Sequence, residues 1–288
     1  MLLPVTQNLT FNLSESSEDV FERCGDMITG IIIWATLSAL FSLIGCPACF
    51  AVLWELFQRQ QPGAPITPNV FFMLNLTIMD LVFLCFVPFK LCNFLVWHFK
   101  FIEMLTNFLY SLNLVGRPLL TACICLDCYL AVVHPVTYRT RRGLTPRVLM
   151  AVTVWTLTLA QGALSVVFDE LNHSSWAMLL YAIALPIILI CDVSILQTLK
   201  KSHPSGGILH PRKKRALQII INSMIMTFIS YVPPLLAYVL GDLIIHDRKV
   251  YECLLATPIL ITPTAGSIIM SLLYLGNLGS LRGPCCLV

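Results

Sequence analysis

Two ionisable side chains stand inside long apolar runs of this 288-residue chain. Asp80 lies in Asn75-Leu76-Thr77-Ile78-Met79-Asp80-Leu81, and Arg117 in Val115-Gly116-Arg117-Pro118. An unpaired charge in hydrocarbon costs several kcal/mol, so groups of this kind are held for a reason. Asp80 falls about ten residues beyond Val70, where its run begins. Arg117 falls about ten residues before Asp127, where its run turns polar. At ~1.5 Å per residue both sit ~15 Å deep, the middle of a ~30 Å hydrocarbon core. Opposite charges at one depth offset each other's desolvation. The chemistry expected is therefore an intramembrane ion pair between adjacent helices. Lys90, near the end of the Asp80 run, admits two readings: an anchor for a phosphate, carboxylate or peptide terminus, or a lysine snorkelling to the interface. Asp192 is expected to be solvated or snorkelling. No nucleophile–base pair, metal-ligand cluster or glycine-rich phosphate loop is recognisable, so no enzyme, metal or cofactor is expected. Nor is nucleic acid expected as a partner.

Elements able to hold such a pair follow from composition. The chain is 57% hydrophobic and 11% charged, where a soluble domain carries roughly twice that charged fraction. This is an all-α, polytopic membrane protein. Apolar runs long enough to span can be placed at 28–57, 70–96, 104–133, 148–168, 176–199, 214–240 and 254–278, giving a seven-transmembrane-helix bundle. The fifth is interrupted by Pro186, the seventh by Pro258, Pro263 and Gly266. Linkers 134–147 and 200–215 hold Arg139, Arg141, Arg142, Arg147, Lys200, Lys201 and the Arg212–Arg215 cluster, with no acid. Acids such as Glu15, Asp19, Glu22, Asp169, Glu170 and Glu252 collect on the opposite side. The positive-inside rule then puts the N-terminus outside and the C-terminus in the cytoplasm.

The division expected is a short extracellular segment at 1–27 without a cleavable signal, the bundle at 28–278 and a cytoplasmic tail at 279–288. Glycosylation sequons at Asn8, Asn12 and Asn172 fall on the outer side, whereas Asn75-Leu76-Thr77 lies within a span. Cys24 and Cys253 are the two cysteines placed clearly outside, and a disulfide between them is plausible there. In the tail, Cys285 and Cys286 suggest lipidation. Palmitoylation is one route; Cys285 also opens a four-residue prenylation box.

The stretch Leu126-Asp127-Cys128-Tyr129, with His134-Pro135 following, resembles the end of the third helix of rhodopsin-like (class A) G-protein-coupled receptors, which usually reads Asp-Arg-Tyr. Cys128 takes the arginine's place. Asn75 to Leu81 is similar to that family's Asn-Leu-Ala-x-x-Asp-Leu pattern. Gly45-Cys46-Pro47-Ala48-Cys49 and Pro88-Phe89-Lys90 resemble the purinergic and protease-activated receptor branch, with Cys49 for asparagine. Trp155 and Pro186 suit the fourth- and fifth-helix landmarks. Ser230-Tyr231-Val232-Pro233 stands where Cys-Trp-x-Pro is usual, and Met270 to Tyr274 where Asn-Pro-x-x-Tyr is usual. The disulfide that usually ties the third helix to the second outer loop has neither cysteine here.

This resemblance implies a receptor at the plasma membrane that passes an extracellular signal to a heterotrimeric G protein. It places Asp127, Cys128, Tyr129, Pro135 and Tyr274 at the switch and G-protein interface. Lys90, Asn107, Tyr110, Asn113, Tyr231, Tyr238, Asp242 and Thr262 fall at the ligand pocket. Tyr110 stands where amine receptors carry an aspartate, which disfavours an amine and leaves peptide, nucleotide or lipid open. In many such receptors the acid at the Asp80 place binds sodium, helped by a small hydroxyl residue where Arg117 stands. Arg117 then reads as a tethered substitute for that ion, or as a purely structural partner of Asp80. Two other readings stand beside the receptor: a non-coupling or weakly coupling seven-helix decoy or partner protein, since cysteine has neither the charge nor the reach of arginine, and a transporter using Asp80 and Arg117, for which no inverted repeat is visible.

Overall fold

The computed structural model describes residues 28–59, 67–140, 143–167, 173–201, 217, 221–222, 224–237 and 261–281. All regular structure among them is helical: α1 (Ile28–Arg59), α2 (Pro68–Cys92), α3 (Lys100–Val133), the short α4 (Pro135–Thr140), α5 (Thr145–Val167), α6 (His173–Lys201), α7 (Met224–Ala237) and α8 (Thr262–Leu281). Five described helices are long and apolar enough to cross a membrane: α1, α2 with the turn that follows it, α3, α5 and α6. With α7 and α8 they make the seven-helix bundle of a membrane protein. The surface is inverted relative to a soluble domain. Leu43, Phe50, Phe57, Phe101, Val167 and Ile190 point outward, while Asp80, Arg117, Asn113 and Ser267 are buried within. Lipid is the solvent for which that arrangement is cheap.

Prolines shape the helices without breaking them. α6 runs through Pro186 unbroken. Pro263 lies in the first turn of α8, where a missing N–H breaks no helical hydrogen bond. Pro186, Pro263 and Gly266 therefore interrupt neither helix among the described residues, and Pro258 lies outside them. Wider π-turns, which the apolar pattern does not signal, occur at Asn93–Trp97, Leu112–Gly116 and Thr227–Tyr231. The last two directly precede Arg117-Pro118 and Val232-Pro233. A proline lacks a donor and crowds the preceding turn, and an i→i+5 turn relieves that crowding. Arg117 N–H accordingly reaches the Leu112 carbonyl, and Val232 N–H the Thr227 carbonyl.

Carbonyls released by proline are taken up across helix seams. Pro88 cannot bond the Leu84 carbonyl, and the Ser42 hydroxyl of α1 donates to it at 3.0 Å. Pro234 leaves the Ser230 carbonyl, to which the Tyr181 hydroxyl of α6 donates at 3.3 Å, with a second contact to Tyr231 O at 2.9 Å. Close approaches are made through glycine. A Cβ on Gly45 would stand 2.7 Å from Leu84, and one on Gly162 would stand 2.8 Å from the Phe108 carbonyl. Between α2 and α5, Trp155 Nε1 donates to Asn75 Oδ1 at 3.1 Å. The resulting core has one cluster around Leu76, Met79, Leu120 and Val154, and another around Val115, Tyr181, Ile188 and Tyr231.

Candidate functional site

The middle of the bundle is built around Arg117. The π-turn and Pro118 set its backbone, and its side chain is 0% exposed. One guanidinium nitrogen, Nη1, donates to Ser267 Oγ at 2.7 Å, and Nη2 donates to the Gly266 carbonyl at 2.8 Å. Nη2 also stands 3.5 Å from Asp80 Oδ2. The Ser267 hydroxyl passes its own proton on to Asp80 Oδ1 at 2.9 Å. Acid, hydroxyl and guanidinium thus close a ring that joins α2, α3 and α8. Gly266 gives the cation room, since a Cβ there would lie 3.0 Å from Nη1. Arg117 Nε has no hydrogen-bond partner, so the fork, rather than the whole guanidinium, carries the bonding.

The same face of α3 makes polar contacts one turn to either side. Asn113, oriented so that its amide is satisfied, donates to the Pro263 carbonyl and accepts from Thr264 N–H, each at 3.2 Å. It thereby caps one of the donors that every helix start leaves unpaired. One turn past Arg117, the Thr121 hydroxyl lies 3.3 Å from Tyr231 OH, and Tyr231 packs edge-on to Tyr181 at 5.7 Å. Nearby, Cys49 Sγ contacts Ser271 Oγ at 3.4 Å.

At the Asp127 end, the carboxylate is held on both sides. Arg147 Nε donates to Oδ1 at 2.8 Å, and Tyr138 OH donates to Oδ2 at 3.2 Å. Arg147 Nη1 reaches the Gly143 carbonyl at 2.8 Å. Its guanidinium also stacks over the Tyr138 ring at 5.0 Å. Burial, and after it the Asp127 charge, raises the Tyr138 phenol above its ordinary pKa. Arg147 is 3% exposed, drawn inward by the Asp127 carboxylate, the Gly143 carbonyl and the Tyr138 ring.

At the opposite end, Lys90 extends between two rings, its Nζ 5.1 Å from the Tyr110 centroid and 5.7 Å from that of Trp34. Tyr110 packs edge-on to Phe83 at 5.9 Å, and Trp34 to Phe94 at 5.3 Å. His98, in the left-handed region at φ 55°, turns the chain from α2 into α3. The Asn93 side chain accepts the Phe99 N–H there at 2.8 Å.

Residues 49–177 match the family described as 7 transmembrane receptor (rhodopsin family). Over those residues the chain is similar to the rhodopsin-family receptors. It is 28% identical over 211 residues to human chemokine XC receptor 1, a match covering 67% of this chain and 60% of that protein. Lysophosphatidic acid receptor 6 of Gallus gallus is 28% identical over 230 residues, or 70% of this chain and 72% of the relative. A purinoceptor of Gallus gallus is 26% identical over 220 residues, 66% of each chain. The chain thus spans less than two thirds of the length of the chemokine receptor it matches.

Set in that family frame, the residues singled out from sequence separate into groups. Asp80 and Arg117 meet. Lys90 and Tyr110 meet in a corner with Trp34. Asn113 serves the start of α8, where Thr262 is half-buried, and Tyr231 is fully buried beneath it. Asn107 is half-buried on α3. Cys128 and Tyr274 pack against the core around Leu76 and Leu120. Tyr129 packs on His134, with its hydroxyl 3.5 Å from Nε2, and Pro135 is exposed. Asp192 is 1% exposed, not solvated, since α6 turns that side of itself into the bundle beside Cys191 and Ile188. Tyr238, Asp242, Cys24, Cys253, Asn8, Asn12, Asn172, Cys285 and Cys286 lie outside the described residues. Sequence reading missed Gly266, Ser267, Trp34, Tyr138 and the pairing role of Arg147. Ser267 and Gly266 sit one turn before Ser271, so a helical projection of α8 at the depth of Asp80 was the signal available.

Proposed function

We propose that this chain is a receptor whose Lys90 end faces the cell exterior and takes up a ligand, and whose Asp127 end meets a heterotrimeric G protein. The observation that supports this reading most directly is the run of polar contacts down one face of α3. Asn113, Arg117 and Thr121 recur at four-residue intervals, and each meets α7 or α8. A helix that touches its movable neighbours at every turn can carry a change at one end to the other. Arg117 serves here as a built-in cation for Asp80, held covalently where a mobile ion would otherwise have to bind.

A second reading draws on the Asp127 end. Its acid is bonded to Arg147 and Tyr138, and Cys128 offers no guanidinium to a G protein. On that reading the chain binds ligand or partner without coupling. G-protein dissociation measured in cells for the native chain and for Cys128→Arg separates the two. Comparable agonist-dependent signals in both support the coupling receptor. A signal confined to Cys128→Arg overturns it in favour of the non-coupling relative.

A further inference from the structure

Two free thiols face each other across the seam between α1 and α2, with Cys46 Sγ 3.9 Å from Cys85 Sγ. The backbones run close at this point. The Ser42 hydroxyl, on a short side chain, reaches the Leu84 carbonyl at 3.0 Å. A Cβ on Gly45 would stand 2.7 Å from the Leu84 side chain. Cys46 follows Gly45 in the chain, and Cys85 follows Leu84. A disulfide needs Cα atoms about 4.4–6.8 Å apart and sulfurs at about 2.05 Å. Where helices already approach this closely, rotation of the two side chains is the movement that remains.

Position decides what can oxidise them. Cys85 lies beyond Asp80 toward Lys90, ~7.5 Å along α2, and so remains within the hydrocarbon. Both thiols are half-buried, at the lipid edge of the seam. Cys46 shares a helical stripe with the exposed Leu43 and Phe50, and Cys85 one with the exposed Ile78 and Phe89. Lipid chains are therefore the medium around this pair. Thiol displacement chemistry runs through the thiolate, and an anion is costly in hydrocarbon. Transfer of a hydrogen atom from a neutral S–H carries no such cost.

We infer that Cys46 and Cys85 form an oxidation site for lipid peroxyl radicals, which closes to a disulfide between α1 and α2. Each thiol gives its hydrogen atom to one peroxyl radical, so that an S–H bond breaks and the O–H bond of a lipid hydroperoxide forms. The two thiyl radicals, left side by side, combine, each supplying one electron to the S–S bond. Two thiols and two peroxyl radicals yield one disulfide and two hydroperoxides, with sulfur oxidised and peroxyl oxygen reduced. The product ties α1 to α2 covalently on the Lys90 side of Asp80.

The test uses the full chain in nanodiscs of polyunsaturated phosphatidylcholine, exposed in air to a lipid-soluble azo initiator. Remaining thiols are alkylated, and unreduced peptides are weighed by mass spectrometry. The native chain is expected to lose both alkylatable thiols and to give a linked Cys46–Cys85 peptide, which reductant separates. Tocopherol, which intercepts peroxyl radicals in the bilayer, should suppress the link. Hydrogen peroxide, applied from water to the chain in saturated lipid, should leave both thiols alkylatable. Cys46→Ser should lose the link without Cys85 gaining another partner. The inference is overturned if both thiols survive the initiator, or if they are oxidised singly without joining. It is overturned equally if hydrogen peroxide links them as fast as the initiator, or if Cys85 finds another partner at the native rate in a folded Cys46→Ser. The treatments of native protein decide the matter even where the variant does not fold.

Discussion

Removing the charge of Arg117 while keeping its bulk is the sharpest perturbation of the bundle. In Arg117→Met, the Asp80 carboxylate, 3% exposed, keeps the Ser267 hydroxyl at 2.9 Å and loses the guanidinium at 3.5 Å. Breaking one side of a buried pair costs ~3–5 kcal/mol, because the remaining charge has neither water nor counter-ion. At about 2–4 °C per kcal/mol for a chain of this size, the melting temperature should fall by roughly 6–20 °C. Replacing both partners, as in Asp80→Asn with Arg117→Met, removes the stranded charge and should restore most of the loss. The assay is thermal unfolding of detergent-solubilised protein followed by retention of the monodisperse peak, for native, both single variants and the double. Sodium supplies an internal check. Against choline, it should leave the native melting point unchanged, since a cation already fills the site. In Arg117→Ser, sodium at about ten times its dissociation constant should add ~1.4 kcal/mol. A native-like melting point for Arg117→Met, or a double variant no better than the worse single, would refute the electrostatic argument.

Two further substitutions test the packing around this centre. Arg147→Gln should cost ~1.5–3 kcal/mol by loosening Asp127 from α5, and Tyr138→Phe should cost less, about 1 kcal/mol. Amide exchange across Pro135–Thr140 should accelerate in both, and unchanged protection in Arg147→Gln would show that α4 is held by other contacts. Gly162→Ala drives a Cβ to 2.8 Å from the Phe108 carbonyl, a backbone atom that cannot step aside, and should lose ~1–3 kcal/mol. Gly276→Ala, with nothing within 4 Å of the new Cβ, should be neutral or gain ~0.5–1 kcal/mol. Equal melting points for the two alanines would contradict a close backbone approach between α3 and α5.

Depth could be counted along single helices, which is why the shared level of Asp80 and Arg117 was legible in the sequence. Rotation could not. Whether Arg117 turns toward α2, α8 or lipid depends on the π-turn at Leu112–Gly116, and hydrophobic periodicity carries no sign of an i→i+5 turn. Ser267 and Gly266 stayed hidden for a related reason: small residues in a membrane helix read as packing until a neighbour's long side chain is seen to need them. The charge and linker position of Arg147 are visible in the sequence, while its pairing is not, because the Asp127 carboxylate that draws it inward lies twenty residues away. In sequence Lys90 has two open orientations, and the rings of Trp34 and Tyr110 fix one of them.

The energies also indicate where the bundle can give way. Arg117 makes α2, α3 and α8 into one unit, and separating them exposes a buried pair at ~3–5 kcal/mol. α7 is tied differently. Its described polar ties include the Tyr181 hydroxyl on Ser230 O and Tyr231 O, and the Thr121–Tyr231 hydroxyl contact. Hydrogen bonds of this neutral kind contribute about 0.5–1.5 kcal/mol each. They gather at Thr227–Tyr231, a widened turn immediately before Pro233 and Pro234, where the helical ladder already lacks two donors. Counted on these ties alone, displacing α7 about that turn breaks neutral hydrogen bonds, whereas parting α8 from α3 breaks the Arg117 clamp. A ligand can shift the balance only by its difference in affinity for the two arrangements.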